Sequence, residues 1–127
     1  MRYLLPKKAY LDKLAGGIIR ARGRCQNPKC ITPISSYNPP VWSHIIPRDC
    51  LHLRWLIENA LCLCLNCERY FTAHPLEQRA FFISVIGENK YWELKRRENQ
   101  YEKVDYGKTA YELNRIIKMQ GIRLNSY

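Results

Sequence analysis

The sequence has little negative charge and no long apolar run. Its 127 residues contain 11 Asp and Glu against 21 Lys and Arg, so the formal net charge is +10. No apolar run approaches the roughly 18 residues that a membrane helix needs, and residues 1–8 lack the apolar core of a secretory signal. The hydrophobic fraction of 46% is typical of a globular domain. We therefore expect one domain, residues 1–127, in a reducing cytoplasm with no membrane partner.

The positive charge is concentrated in the first part of the chain. Residues 1–30 carry a net charge of +7 and contain one acid, Asp12, whereas residues 31–87 are neutral and residues 88–127 carry +3. A basic segment of this kind indicates a polyanionic partner, most often nucleic acid, although it is also compatible with a solubilising surface. The residues predicted to contact phosphates here are Lys7, Lys8, Lys13, Arg20, Arg22, Arg24 and Lys29.

The apolar pattern predicts several helices around one small hairpin. A first helix begins near Pro6 and ends or bends at Gly16-Gly17. The predicted strands are 41–46 and 59–63, and further helices cover 66–72, 75–86 and 88–97. Asp105 caps a last helix, whose apolar stripe is expected to lie in the core. The three tryptophans, Trp42, Trp55 and Trp92, are also interpreted as core residues.

Four of the six cysteines form two closely spaced pairs. Cys25 and Cys30 are separated by four residues, and Cys64 and Cys67 by two. Two such knuckles provide the tetrahedral thiolate ligands of a structural Zn²⁺ ion. The alternatives are four buried free thiols or two disulfides, and disulfides are disfavoured in a reducing compartment. The remaining Cys50 and Cys62 are interpreted as small apolar residues.

The segment between the knuckles carries a second motif. It contains Ser43-His44-Ile45-Ile46-Pro47-Arg48, and Asn59 lies five residues before the second knuckle. Together with the knuckles, this order resembles the His-Asn-His (HNH) endonuclease motif carried on a zinc-bound ββα-metal finger, from Cys25 to His74. The resemblance implies an α+β, mostly helical fold: a small finger with a four-cysteine zinc site, surrounded by α-helices. We therefore divide the domain into a basic N-terminal helical arm (1–24), a ββα-metal core (25–74) and C-terminal helices (75–127).

A weaker resemblance extends beyond the finger. Arg54-Trp55, Pro75, Gly87-Glu88 and Leu94 resemble the NinG (Rap) branch of phage recombination endonucleases. That branch implies branched or recombination-intermediate DNA as substrate, and the cytoplasm of a bacterial or phage-infected cell as location.

His44 is the candidate general base, because imidazole is the side chain best suited to accept a proton near neutral pH. The alternative for a single histidine is a structural or surface role. By the resemblance, Asn59 either binds the catalytic metal or fixes the loop of the finger through its amide. A turn-capping role is the third interpretation of this asparagine.

Two residues depart from the family pattern. Ser43 stands where the family commonly has a metal-binding Asp or His, so it is a candidate ligand of the catalytic metal, although a poorer one. Glu68 stands where His commonly follows the second knuckle. A carboxylate suits Mg²⁺ or Mn²⁺, so Glu68 is either a catalytic-metal ligand or an exposed helix carboxylate. His74 is a distal ligand or a helix cap. Arg48 and Arg54 hold phosphates or form a local ion pair with a carboxylate such as Glu58.

These observations predict a DNA endonuclease that depends on Mg²⁺ or Mn²⁺ and uses His44 as its base. Cutting both strands with a single active site needs a homodimer or two binding events. The first alternative is a non-catalytic, zinc-dependent nucleic-acid-binding module, in which Ser43 and Glu68 mark a decayed site. The second is a structural zinc-knuckle partner in a larger assembly, which leaves the basic arm unexplained.

Overall fold

The computed structural model describes residues 6–124 and confirms a mixed α and β, mostly helical fold. Within that range there are six α-helices and one two-stranded antiparallel sheet. The elements in chain order are α1 (Lys8–Arg20), β1 (Pro40–His44), α2 (Leu51–Arg54), a 3₁₀ turn (Ile57–Asn59), β2 (Ala60–Cys64), α3 (Leu65–Ala73), α4 (Pro75–Ile86), α5 (Glu88–Glu98) and α6 (Tyr106–Gln120). The first five residues of the predicted basic arm lie outside the described residues. No helix in the described range has the length and apolar character that crossing a bilayer requires.

The hairpin of β1 and β2 is covered on both faces. Ser43 lies opposite Leu61 and His44 lies opposite Ala60, and residues that lie opposite each other share a face. Ala60 packs against Ile19 of α1, so α1 covers the face that carries His44. The other face, which carries Ser43, is covered by α3 and α4, because Leu61 and Leu63 share one cluster with Phe71 and Phe81. This double cover explains why every residue of β2 is buried.

Of the two predictions for Gly16-Gly17, that α1 ends there is wrong, because α1 continues to Arg20. The glycines serve close packing instead. A Cβ on Gly16 would lie 3.1 Å from Cε3 of Trp42, and a Cβ on Gly17 would collide with the side chain of Leu124. Each glycine destabilises the helix by roughly 1 kcal/mol relative to alanine. Because these positions carry no side chain, the backbone of α1 can approach the hairpin and the residues after α6 closely.

Helices α1 and α6 pack against each other as the second layer of the fold. Their shared cluster contains Leu11, Leu14 and Ile18 from α1, and Ala110 and Leu113 from α6. A hydrogen bond from Asn114 Nδ2 to the Tyr10 hydroxyl, 3.1 Å long, joins residues 104 positions apart. The expectation that the stripe of α6 lies in the core is therefore confirmed.

Local signals set the ends of the later helices as predicted. Pro75 is the first residue of α4, and Gly87 (φ 89°) follows its last residue. The Asp105 side chain accepts a hydrogen bond from the Lys108 backbone N–H at 3.0 Å, which confirms the N-cap of α6. Trp55 is buried as predicted, but Trp92 is 47% exposed. Trp92 lies instead under the guanidinium of Arg79, 4.9 Å from the ring centre, so its assignment to the core is wrong.

Candidate metal centre and candidate active site

The four predicted zinc ligands lie together. The Sγ atoms of Cys25, Cys30, Cys64 and Cys67 are all within 4.8 Å of one another, and those of Cys30 and Cys64 are 3.7 Å apart. A tetrahedral ion with Zn–S bonds of about 2.3 Å places its sulfurs roughly 3.8 Å apart. The donor set and its spacing therefore fit a zinc ion. All six cysteines are free thiols, and Cys50 and Cys62 lie outside the cluster.

Backbone and side-chain bonds shape the first knuckle. The Asn27 carbonyl accepts from the Cys30 N–H at 2.9 Å, and the Asn27 side-chain oxygen accepts from the Lys29 N–H at 3.1 Å. Gln26 then fastens the knuckle to β2: its N–H donates to the Cys62 carbonyl at 2.7 Å, and its side-chain oxygen accepts from the Cys62 N–H at 2.8 Å. Hydrogen bonds that do not involve the ligand sulfurs therefore bring the two cysteine pairs together.

Cys64 ends β2 and caps α3, and its thiol is more acidic than an ordinary cysteine. Burial raises the pKa of Cys64, but hydrogen bonds from the Cys67 backbone and the Asn38 side chain outweigh it and lower this pKa to about 7. The Cys67 N–H lies 3.5 Å from the Cys64 sulfur. Burial raises the pKa of Cys25 and of Cys67. A metal that binds here would displace the protons that remain on the thiols, because the thiolate is the ligand form.

A buried asparagine connects the loop after the first knuckle to α3. The Asn38 side chain donates to the Pro33 carbonyl at 3.2 Å and accepts from the Asn66 N–H at 2.9 Å. Its backbone also pairs with Ser35 in both directions at 3.1 Å. This turn fixes the chain as it enters β1, and hence the position of His44 at the end of that strand.

His44 is held in one tautomer. Its Nε2 lies 3.0 Å from the main-chain carbonyl of Arg54, and since a carbonyl only accepts, Nε2 must carry the proton. Nδ1 then carries the lone pair. The imidazole also packs on Trp42, with ring centres 4.2 Å apart. Burial, with smaller contributions from Arg48 and Arg54, lowers the pKa of His44 below its ordinary value of 6.5. At neutral pH, this imidazole is therefore an uncharged base.

Asn59 fixes the loop between the strands. Its side-chain oxygen accepts from the Ile46 N–H at 2.8 Å, and its Nδ2 donates to the carbonyls of Ile46 at 3.0 Å and Leu53 at 3.1 Å. Asn59 is fully buried. These contacts support the loop-fixing alternative. They do not support the metal-binding alternative, because the amide presents no oxygen to solvent or to a phosphate.

The two arginines near His44 both contact Asp12 of α1, but unequally. Arg54 donates to the carboxylate twice, from Nε at 2.9 Å and from Nη2 at 2.5 Å, and Trp55 Nε1 donates at 2.8 Å. Arg48 adds one bond of 3.2 Å. The Arg54 side chain is 15% exposed, whereas that of Arg48 is 59% exposed. Glu58, the carboxylate suggested by the sequence, instead pairs with Lys90 at 3.6 Å.

Asp12 is not among the site residues that the sequence predicts. The signal was present, because Asp12 is the one acid of residues 1–30. Its partners lie 36, 42 and 43 positions away, however, and nothing in the local pattern of α1 points to them.

The predicted ligands of a catalytic cation are not gathered into one cluster. Within residues 6–124, the four cysteines form the only group of three or more Cys, His, Asp or Glu ligand atoms. Ser43 is buried on the face opposite His44. His74 joins α3 to α4: its Nδ1 lies 2.7 Å from the Tyr70 carbonyl, and its ring stacks on Tyr70. These contacts support the cap alternative for His74.

Glu68 keeps one carboxylate oxygen without a partner, on the hairpin face opposite His44. Its Oε2 is buried and has no hydrogen-bond partner. Glu68 and Phe71 are three residues apart on α3, and they share a helix face. Phe71 packs on the hairpin face that also carries Ser43. An unpartnered carboxylate oxygen suits a hard cation, and Mg²⁺ commonly binds through one or two carboxylates together with substrate phosphates.

Most of the predicted phosphate contacts lie on the surface. Lys7, Lys8, Lys13, Arg22, Arg24 and Lys29 are exposed. None of these six forms an ion pair among the described residues. Arg22 donates to the Gln26 side chain at 2.7 Å. Arg20 is half-buried at the end of α1, where its guanidinium lies beside Gly16. The charge of the six exposed residues is therefore available to an external polyanion.

Comparisons of the chain with protein-family models, with curated proteins and with solved structures gave no match.

Proposed function

We propose that this protein is a metal-dependent DNA endonuclease of the HNH kind, with His44 as its general base. In this proposal the hairpin and α3 form a ββα-metal finger, and Cys25, Cys30, Cys64 and Cys67 hold a structural zinc ion. The observation that carries the proposal is the fixed tautomer of His44. Its Nε2–H is held by the Arg54 carbonyl, which leaves Nδ1 as a proton acceptor.

The base is prepared for its task by its surroundings. Because burial lowers the pKa of His44, the imidazole is neutral and ready to take a proton from water at pH 7. The positive charge that forms on the ring is stabilised through Nε2–H by the Arg54 carbonyl, and by Asp12 nearby. The bond to the carbonyl also keeps the ring from rotating away from the attacking water.

Arg48 is the phosphate-binding arginine in this proposal. It is largely exposed and makes a single bond to Asp12, so it can turn to a phosphate at little cost. A guanidinium presents paired donors that match phosphate oxygens. Arg54 keeps its structural place, since both of its bonds to Asp12 are short. Lys8, Arg24 and Lys29 are proposed to contact the flanking DNA backbone.

In this proposal Glu68 would hold the catalytic Mg²⁺ or Mn²⁺ through its unpartnered Oε2, on the hairpin face of Ser43, and the scissile phosphate would lie across the strand end between that face and His44. When bound, such a cation stabilises negative charge on the scissile phosphate and on the leaving 3′ oxygen. The products then carry 5′-phosphate and 3′-hydroxyl ends. By its weaker resemblance to the NinG branch, we propose branched or recombination-intermediate DNA as the substrate.

The test is a cleavage assay on an end-labelled four-way junction and on a linear duplex of one arm, with Mn²⁺ present. We expect His44→Ala to lose about 10²- to 10⁴-fold in rate, the usual contribution of a general base, while DNA binding is retained. His52→Gln is the matched control, since His52 bonds the Arg97 carbonyl on α5 and has no place in the proposed chemistry. Equal cleavage by wild type and His44→Ala would contradict the role of His44.

A second function is favoured by one observation. Ser43, at the position where the family commonly has a metal ligand, is 1% exposed and so presents no ligand atom to a cation at the surface. This favours a non-catalytic, zinc-dependent DNA-binding module. Salt-sensitive binding without cleavage of either substrate would overturn the endonuclease proposal and support this alternative.

A further inference from the structure

We propose that Asp12 of α1 is a positioning residue for His44, acting through Arg54 and Trp55. The proposal rests on the proposed function, in which His44 is the base. It assigns a role in the reaction to a residue outside the His-Asn-His motif, on a helix that precedes both knuckles.

Both oxygens of the Asp12 carboxylate are used. One accepts from Arg54 Nε at 2.9 Å and Trp55 Nε1 at 2.8 Å, and the other accepts from Nη2 of Arg54 at 2.5 Å and of Arg48 at 3.2 Å. Burial raises the pKa of Asp12, but these donors outweigh it and hold the net value below the ordinary range. The carboxylate is therefore ionised at neutral pH and binds two consecutive residues, Arg54 and Trp55.

Those two residues end a helix that cannot support itself. Helix α2 has only four residues, and an isolated helix of that length is unstable in water. Arg54 is its last residue, so its carbonyl is one of the helix-end carbonyls that need a partner from elsewhere. His44 Nε2 supplies that partner. The position of the carbonyl thus depends on what holds Arg54 and Trp55, and the side chain that holds both is Asp12.

Asp12 also sets the charge around the base. The charged groups that act on His44 are Arg48, Arg54 and Asp12. With Asp12 ionised, its negative charge offsets the charge of one arginine, and the other arginine can bind a phosphate. Without Asp12, both guanidinium groups face the imidazole unopposed, and they disfavour the imidazolium that must form when His44 takes a proton.

The experiment compares Asp12→Asn with Asp49→Asn in the full chain. Asp49 is an exposed acid beside Arg48 in the sequence and forms no ion pair among the described residues. We measure the tautomer and pKa of His44 by NMR, and kcat and KM of cleavage. For Asp12→Asn we expect a lower His44 pKa, a mixture of imidazole tautomers, and a kcat reduced by about 10- to 100-fold, the size of effect known for partners that orient metal-bound histidines. KM should change much less than kcat.

Arg54→Lys is the second variant, and it keeps the charge but loses the paired bonds to Asp12. If the two residues act as one unit, the double variant loses little more kcat than either single variant. An unchanged His44 tautomer and unchanged kcat in both single variants would overturn the proposal, even if their melting temperatures fell. The NMR readouts do not require cleavage. A tautomer change in a protein that never cleaves DNA would therefore contradict the proposed function and still support the positioning role of Asp12.

Discussion

The molecule has two regions that are held together in different ways. The knuckle–hairpin region (residues 25–73) contains Asn38, Ser43 and Asn59, which are all of the buried polar side chains in the described part of the chain. The α1–α6 pair is joined mainly by apolar contacts, with Leu11, Leu14 and Leu113 at its centre. Directional bonds fix atoms at defined distances, whereas apolar burial stabilises without fixing direction. The region built with directional bonds is the one that carries His44.

The candidate site lies where these two regions meet. His44 and Arg54 come from the knuckle–hairpin region, and Asp12 comes from α1. On the proposed function, the knuckle–hairpin region supplies the reactive group, and the α1–α6 pair supplies the residue that orients it. Four changes test this division, from the largest expected effect to the smallest.

Removal of the metal should have the largest effect. A structural zinc ion contributes an apparent binding free energy of about 10–16 kcal/mol at pH 7. We expect Cys64→Ser to lose bound zinc and the fixed His44 tautomer, measured by elemental analysis and by NMR. Cys50→Ser, which changes a free thiol outside the cluster, should keep one zinc ion per chain. Full zinc content in Cys64→Ser would contradict the assignment of this ligand.

Truncation of the apolar core should weaken the other region and spare the metal. Leu113 is 3% exposed within the α1–α6 cluster. We expect Leu113→Ala to lower the free energy of unfolding by about 2–5 kcal/mol, measured by urea denaturation. At low urea, the folded variant should retain its zinc. Loss of zinc from that folded variant would show that the two regions are not held independently.

Asn59→Ala should destabilise the protein by a smaller amount. It leaves the buried Ile46 N–H and two carbonyls without their partner. We expect a loss of about 1–3 kcal/mol in the free energy of unfolding, the usual cost of buried polar groups left unpaired. Asn114→Ala is the control, because Asn114 is an exposed amide on α6. An effect of Asn59→Ala no larger than that of Asn114→Ala would contradict the loop-fixing role.

The smallest effect concerns pH. The pKa of His44 is lowered below 6.5 in the folded protein, so the unfolded chain takes up this proton at higher pH. As the pH falls below 6.5, protonation of His44 in the unfolded chain therefore lowers the free energy of unfolding. In the folded protein, His44 stays neutral until the pH reaches its lowered pKa. We expect His44 to titrate at lower pH in the folded protein than in urea, measured by NMR. His44→Gln should lack this part of the pH dependence of unfolding.

Local chemistry made much of the fold predictable. Pro75, Gly87 and Asp105 fix helix ends through their own backbone or side chain, so the sequence indicates those ends directly. The cysteine knuckles are predictable for the same reason, because the two cysteines of each pair are close in sequence and all four ligands are cysteines. His44 is selected over His52 because it lies in the Ser43–Arg48 segment of the resemblance, and its catalytic role stays a prediction.

Contacts between distant segments were not predictable in this way. The continuation of α1 through Gly16-Gly17 depends on Trp42 and Leu124, which come from β1 and from the residues after α6. The role of Asp12 depends on Arg54, 42 positions away. A helix pattern shows that a residue is exposed or buried, but not which distant side chain it meets.

The pairing of α1 with α6 has a consequence for synthesis on the ribosome. Helix α1 is made early, yet its apolar face is covered by Ala110 and Leu113, which are added roughly ninety to a hundred residues after it. At synthesis rates of roughly 5–20 residues per second, Leu11, Leu14 and Ile18 remain uncovered by α6 for several seconds. The last knuckle cysteine, Cys67, is added within that interval, so the four ligands of the candidate metal centre are complete while α1 still lacks its partner helix.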